Sequence, residues 1–526
     1  MLDLVVRGGT IVDGNGTPGF PGDLAIESGC IVGMGNIPET ETALELDATG
    51  MLVTPGFIDI HSHSDFTLLV DPRAQSAVFQ GVTTELIGNC GHGCAPITEP
   101  NRFTGNIYGY DPSVEIDWNT MTEYLDRLES TRPCVNVATL VPNGNLRIAA
   151  MDDPGAIASP EDVQSMGMLL EESLEAGAYG YSNGLEYALE SSVSEEESTE
   201  LCKIVAKAGA LYATHERNKD IFAIEAIEEG IRVARDSGVR LQLSHIIPRK
   251  GSPLGSVQRV VELVDQANDA GIDVAFDSHT RLHGILNASA ALPTWVLEGS
   301  IDDLIFRLSD SMIRDKIKAH PSIISNLKVV GWDRLFLFTS WARPEDVGKS
   351  FAELAPKEGD PFDALLDLLL AEAEDPHRSL LISHAYEEDW LRYTFQHPLC
   401  ALESDATSLC TDGPLSSSLF LGAYTWAAWF FRRFVRETGD FTIEQAVQRL
   451  TSMPAARIGL TDRGILVNGA AADVIVFDPE RFRETGTLED PNRLAEGMVH
   501  VIINGEVILE NGQYTGHRNG HVLRRG

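Results

Sequence analysis

Between residues 57 and 403 the chain alternates short apolar runs with amphipathic helical stretches, and no other feature restricts its fold as strongly. Candidate strands are FIDI (57–60), TTELI (83–87), VNVATL (135–140), AYGY (178–181), LYAT (211–214), LQLS (241–244), DVAF (273–276), LLIS (380–383) and CALE (400–403). Between them lie segments such as SPEDVQSMGMLLEESLEAG (159–177), whose Ser-Pro-Glu start and Gly stop mark a capped helix. The acidic run SEEESTEL (194–201) reads as another helix start, with Ser194 as cap and Glu in the first turn. Strand–helix alternation of this length implies a parallel α/β architecture, most simply a (β/α)8 barrel. Nine candidates exceed a barrel's eight strands, so either DVAF or LLIS is expected to lie outside it. The stretch 284–345 lacks a clean rhythm and is expected as an insertion, a lid over the barrel mouth.

The two ends have a different texture. LDLVVRGGTIVDG, DLAIESGCIVGMG and ALELDATGMLVTPG near the start, and AADVIVFDPERF and VHVIINGEVILENGQYTG near the end, alternate apolar and polar residues and break at Gly or Asn-Gly. One small β-sandwich domain built from residues 1–56 and 463–526 is expected, flanking a catalytic barrel over 57–462.

Composition excludes some partners. The formal charge is −38, from 78 acidic and 40 basic residues. Nucleic acid and anionic membranes need clustered Lys and Arg, so neither is expected as a partner. The start, MLDLVVRGGTIVDGNG, has no basic segment followed by an apolar stretch, and AYTWAAWFF (423–431) is too short to span a bilayer. Seven cysteines in a long chain do not make a disulfide framework. A cytoplasmic location with reduced thiols is therefore expected; the charge identifies neither a partner nor an oligomeric state.

The chemistry lies at strand ends. In PGFIDIHSHSDF an apolar strand runs into His61-Ser62-His63, and residues i and i+2 of a strand point the same way. Both imidazoles would face the barrel interior at the end where barrel enzymes act. LYATHERNKD places His215 just past its strand, LQLSHIIPRK places His245, HPLCALESDA places Asp405 and TTELIGNCG places Cys90. Imidazole, thiolate and carboxylate from five strands make a ring suited to zinc first, and to iron, cobalt or manganese less well. IGNCGHGCAP (87–96) also holds His92 and Cys94, but a zinc knuckle needs a second local Cys/His pair, and none sits at suitable spacing. These two are read as loop residues.

With those motifs in view, the chain resembles the N-acyl-D-amino-acid deacylase (D-aminoacylase) branch of the amidohydrolase superfamily over nearly its whole length. The likeness rests on GGTIVDGNGTPGFPGDLAIESGCIVGMG, PGFIDIHSHSD, GVTTELIGNCG, NVATLV, SNGLEY, THERNKD, QLSH, GWDR, HP followed by SDA, DRGILVNGAAADVIVFDP and NGEVILENG. The resemblance implies a tight metal site of Cys90, His215 and His245. It implies that His61, His63 and Asp405 line a second, weaker site that Cys90 also reaches. A carboxylated lysine bridges metals in many superfamily members; GAYGYSNG offers none, which suits a thiolate in that role. The expected cofactor is one tightly bound zinc with a possible weaker second metal.

Such a metal polarises a scissile carbonyl and lowers the pKa of bound water toward ~7, so that hydroxide exists at neutral pH. Asp405 is the expected catalytic carboxylate, taking a proton from that water and passing it to the departing nitrogen. Asp412 in CTDGP is read as a loop residue. Substrate motifs depart from the family. Ile247 stands where the family has a lysine, and DSHTR places His279 and Arg281 where it has tyrosines. Pro142-Asn143-Gly144 replaces Gly-His-Gly, and Phe420-Leu421-Gly422 replaces His-Pro-Arg. Asn143, Tyr187, His279 and Arg281 are the expected substrate-binding residues. Without the lysine, either Arg249, Lys250 or Arg281 compensates, or the substrate lacks a free carboxylate or is bulkier and more apolar. Metal-dependent hydrolysis of a small-molecule linear amide, either an N-acyl-D-amino acid or a relative with a changed recognition group, is the leading reading. A carbamate, ester or cyclic amide could use the same centre, whereas a non-catalytic scaffold would lack ligands, and here all six positions are filled.

Overall fold

The computed structural model describes residues 2–39, 42–297, 299–320, 331–376, 378–488 and 490–526. Among them, eight parallel strands follow one another in chain order: Phe57–Asp59, Val82–Ile87, Asn136–Pro142, Gly180–Gly184, Leu211–His215, Arg240–Leu243, Val274–His279 and Cys400–Glu403. The ring closes where Asp405 N–H donates to His61 O at 3.0 Å and His63 N–H donates to Ala406 O at 2.8 Å. This is the (β/α)8 barrel. Alternate side chains divide the work. Ile58, Leu86, Ala138, Leu140, Ala213 and Ala401 form one cluster, whereas Val137, Val141, Tyr212, Leu241, Phe276 and Leu402 join the larger core shared with the helices.

The capped helices form as their sequences dictate. Ser159 accepts from Asp162 N at the start of Pro160–Glu175, and Ser194 accepts from Glu197 N ahead of Glu195–Lys207. Each bond satisfies an amide that the first helical turn leaves without a partner.

DVAF belongs to barrel strand 7, whose Phe276–His279 pairs with Cys400–Glu403. LLIS does not belong to the barrel. Leu380–Ser383 is the middle strand of a three-stranded antiparallel sheet with Gly284–Asn287 and Leu335–Thr339. The irregular segment therefore runs on to Ser383 rather than ending near 345, and residues 298 and 321–330 of the expected lid lie outside the described residues. Helices Ile301–Ser309 and Pro361–Ala371 bury Leu304, Leu308, Leu365 and Leu369 with Leu381 in a core of its own. Tyr187, from the loop after barrel strand 4, packs against that core.

Both ends of the chain contribute to one nine-stranded sheet. Leu2–Ile11 pairs with Thr42–Asp47 along its first half and with Leu52–Pro55 at Thr10 and Ile11. That branching folds the sheet over itself, so Leu4, Val6, Leu24, Leu46, Val474, Val476 and Ile502 share one core. No helix among the described residues is long and apolar enough to cross a membrane. All seven cysteines are free.

After barrel strand 2 the backbone must turn sharply to place Cys90. Gly88 turns with φ +78°, and a Cβ there would lie 2.3 Å from Leu140 O on strand 3. Backbone cannot yield as a side-chain tip can, and the left-handed conformation is itself costly for Ala. Gly88→Ala is therefore expected to destabilise the protein by about 2 kcal/mol or more, seen as a lowered midpoint in denaturant unfolding.

Candidate metal centre

Three of the candidate ligands stand in left-handed backbone: Cys90 at φ 55°, His245 at φ 36° and Asp405 at φ 41°. For residues with a Cβ this costs about 1–3 kcal/mol each and persists only where the surroundings impose it. Here they do. His245 N–H donates to Asp277 Oδ1 at 2.6 Å, and Asp405 N–H is held by the barrel's closing bond to His61. Each strand thus ends in a kink where its ligand-bearing side chain joins the centre.

Around Cys90 Sγ lie His61 Nε2 at 3.2 Å, His245 Nε2 at 3.5 Å and His215 Nδ1 at 3.7 Å. Asp405 Oδ1 is 3.3 Å from His63 Nε2 and 3.8 Å from His61 Nε2. Zinc bonds of about 2.0–2.3 Å at tetrahedral angles put neighbouring nitrogen and sulfur ligands about 3.5 Å apart. The spacings around Cys90 are therefore those of ligands sharing an ion. Two sets bring one ligand atom from each residue within 4.8 Å of one another: His61, Cys90 and His245; and His61, His63 and Asp405. Cys90, His215 and His245, the tight set implied by resemblance, overlap the first set, with His215 slightly further out.

Supporting groups orient these rings. His215 Nε2 meets Glu186 Oε2 at 3.0 Å, which points Nδ1 toward Cys90. Arg249 clamps Glu186 through two bonds of 2.8 and 2.6 Å and reaches Asp220 at 3.2 Å. Asp277 Oδ1 lies 3.5 Å from His61 Nδ1. Lys219 donates to Glu216 and to the carbonyls of Ser244 and His245.

Burial sets the protonation states. It pushes His215 down to about 4 and, with Lys219, His245 well below the usual histidine range, leaving neutral rings with lone pairs. Burial would raise Asp405, but Arg281 and the hydrogen bond from His63 outweigh it and hold the carboxylate well below its ordinary range. Likewise, burial would raise Glu186, but Arg249 keeps it ionised. The Cys90 thiol is pushed up by burial and by Asp405, so metal binding must displace its proton.

The expected substrate residues are placed unequally. Tyr187 Oη lies 3.3 Å from His215 Nδ1. His279 is buried at the end of strand 7 against Tyr386, and neither ring nitrogen has a hydrogen-bond partner among the described residues. Arg281 bonds Asp405 Oδ2, Ser404 O and His283 O. Asn143 commits its amide to Glu190 at 2.9 Å. Asp412, 70 % exposed, pairs with Arg73. Cys94 is buried, whereas His92, read as a loop residue, packs at the centre between Tyr187 and Tyr108, with ring centroids at 4.7 and 4.9 Å. The Tyr108 ring in turn lies 4.7 Å from that of His63, tilted by 45°. Tyr108, Glu186 and Asp277 escaped the sequence reading; Glu186, inside GLEY, and Asp277, at the head of DSHTR, sat in motifs already singled out, whereas Tyr108 did not.

Removing the Glu186 charge while keeping its shape weakens the charge-assisted bond that orients His215. Glu186→Gln is expected to weaken zinc binding by about 10–100-fold, measured by competition against a chromophoric chelator.

Comparisons with known proteins identify the family. The model of the amidohydrolase family matches residues 44–296 and 400–509. N-acyl-D-glutamate deacylase of Alcaligenes xylosoxydans xylosoxydans is 33 % identical over 527 aligned residues, covering 100 % of this chain and 97 % of that one. D-aminoacylase of the same organism is 29 % identical, covering 100 % and 98 %. The solved N-acyl-D-glutamate deacylase of Bordetella bronchiseptica, in complex with zinc and a phosphonate mimic of the tetrahedral intermediate, superposes with a TM-score of 0.82 at 29 % identity over 99 % of each chain. A solved D-aminoacylase gives a TM-score of 0.80 at 26 % identity over the full length of both chains. The chain belongs to the amidohydrolase family and is a metal-dependent amide hydrolase of its D-aminoacylase branch.

Proposed function

We propose that the substrate is an N-acyl amino-acid derivative whose carboxyl group is absent or masked. One observation carries this reading: the cations around the centre are already engaged. Arg249 is held by Glu186 and Asp220, Arg281 by Asp405, Lys219 by Glu216, and Lys250 pairs with Glu387 at 2.7 Å. Ile247, where the family places a lysine, is fully buried. A free carboxylate would enter with none of these four cations free to meet it, and burying an unpaired charge is costly.

In this reading Cys90, His215 and His245 hold one zinc tightly, and His61, His63 and Asp405 hold a second metal more weakly. The relatives support it: one holds zinc, and another D-aminoacylase structure is described as having a binuclear centre with one-metal activation. Bound there, zinc supplies a Lewis acid for the scissile carbonyl and acidifies a water. Asp405 handles the proton. Arg281 pins Oδ2, whereas Oδ1 faces His63 and His61 and can accept the proton from water and return it to the leaving nitrogen. Tyr187 Oη, beside His215, can donate to the carbonyl oxygen as negative charge develops there.

His279 favours a second reading. Its two unpartnered, buried nitrogens could serve a substrate carboxylate in a true D-aminoacylase. Acetate release from N-acetyl-D-leucine and from N-acetyl-D-leucinamide, using zinc-loaded protein, separates the two. We expect kcat/KM for the carboxamide to exceed that for the acid at least tenfold; preference for the acid would establish the second reading. On the better substrate, Asp405→Asn should lower kcat by roughly 10²–10⁴-fold.

A further inference from the structure

The motif IGNCGHGCAP contains a histidine that the metal chemistry does not use. His92 Nδ1 lies 2.8 Å from Asn106 Oδ1. The Asn106 amide nitrogen donates to Gly91 O at 3.0 Å and to Asn145 Oδ1 at 2.8 Å, and Asn145 Nδ2 donates to Pro96 O at 3.1 Å. Backbone carbonyls only accept, so the polarity of the chain is settled from its far end. Both asparagine nitrogens face carbonyls, Asn106 Oδ1 must therefore accept, and the ring proton of His92 sits on Nδ1. In the neutral ring Nε2 then carries a lone pair and no hydrogen. It is buried and has no partner among the described residues.

An acceptor-only atom in this position calls for a donor. The ring is wedged between Tyr108 and Tyr187, which contact His63 and His215 in turn. A simple N-acyl substrate presents one donor at the reacting bond, its amide N–H. We propose that His92 is a substrate-binding residue whose Nε2 accepts the hydrogen bond of the scissile amide N–H. This rests on the reading of the bond as an amide. The contacts run His92–Tyr108–His63–Asp405, so in that series the rings of Tyr108 and His63 stand between the acceptor and the proton carrier. As water adds to the carbonyl carbon, the nitrogen becomes pyramidal. Holding N–H on the His92 side turns the new lone pair toward Asp405, which delivers to it the proton taken from the water. The C–N bond then breaks to release a neutral amine and the acid.

The test pairs each amide with its ester counterpart, in which oxygen replaces the scissile N–H, in the parent and in His92→Phe, which keeps a ring between the tyrosines. Zinc content and thermal midpoint are measured alongside. We expect the amide-to-ester ratio of kcat/KM to fall roughly 5–100-fold in the variant, the loss that follows when one hydrogen bond at the reacting group is removed. Equal losses on both compounds would overturn the proposal and leave His92 a packing residue. Should His92→Phe not fold, His92→Gln and His92→Leu make the same comparison. Gln offers an acceptor oxygen and should recover part of the ratio; identical ratios in the two would also overturn the proposal. A parent protein that cleaves neither compound would overturn the amide reading and this inference together.

Discussion

Closure of the barrel and assembly of the metal centre are one event. The bonds that join the last strand to the first, Asp405 N–H to His61 O and His63 N–H to Ala406 O, involve candidate ligands themselves. Residues far apart in the chain must meet before either bond forms, so the entropy of closing that long loop is recovered only in the finished fold. The left-handed conformation of Cys90, His245 and Asp405 has the same origin. A strand that continued straight would carry alternate side chains away; the kink keeps them converging, and the closed sheet holds it in place.

An acidic chain keeps some of its scarce cations inside, around this centre. Arg249, Lys219 and Arg281 are nearly buried, and each is matched by a carboxylate. Such pairs add little net stability compared with a well-packed apolar core, yet breaking one leaves a buried charge and costs about 3–5 kcal/mol. Around them, Glu186 aims His215, Asp277 holds the backbone amide of His245 and lies beside the His61 ring, and Arg281 leaves one oxygen of Asp405 available. Low polarity keeps His215 and His245 neutral, the form in which imidazole binds metal.

In the proposed reading, recognition is built from less regular parts of the chain. The family model passes over residues 297–399, most of the segment that carries the three-stranded sheet. That segment meets the centre through Tyr187, which packs on its core, and through Tyr386, whose ring lies 4.4 Å from that of His279. The candidate ligands thus sit at strand ends, while in the proposed reading His92, Tyr187 and Arg281, which would meet the substrate, come from the loops beyond them, where sequence can change without disturbing the ligands.

By itself the sequence determined the barrel, the sheet shared by the two termini, and the His, Cys and Asp positions that converge. Those signals are local: a period of two in strands, a capped helix between them, and a ligand type at each strand end. It could not decide between DVAF and LLIS, two apolar runs of equal length, because strand character depends on local pattern whereas sheet membership depends on the hydrogen-bonding partner. Nor could it place His92 beside two tyrosines from other loops, or show that Arg249 and Arg281 are already engaged by protein carboxylates. The tertiary structure decided these, because charge pairing and ring packing join residues that are distant in the chain and leave no periodic trace within it.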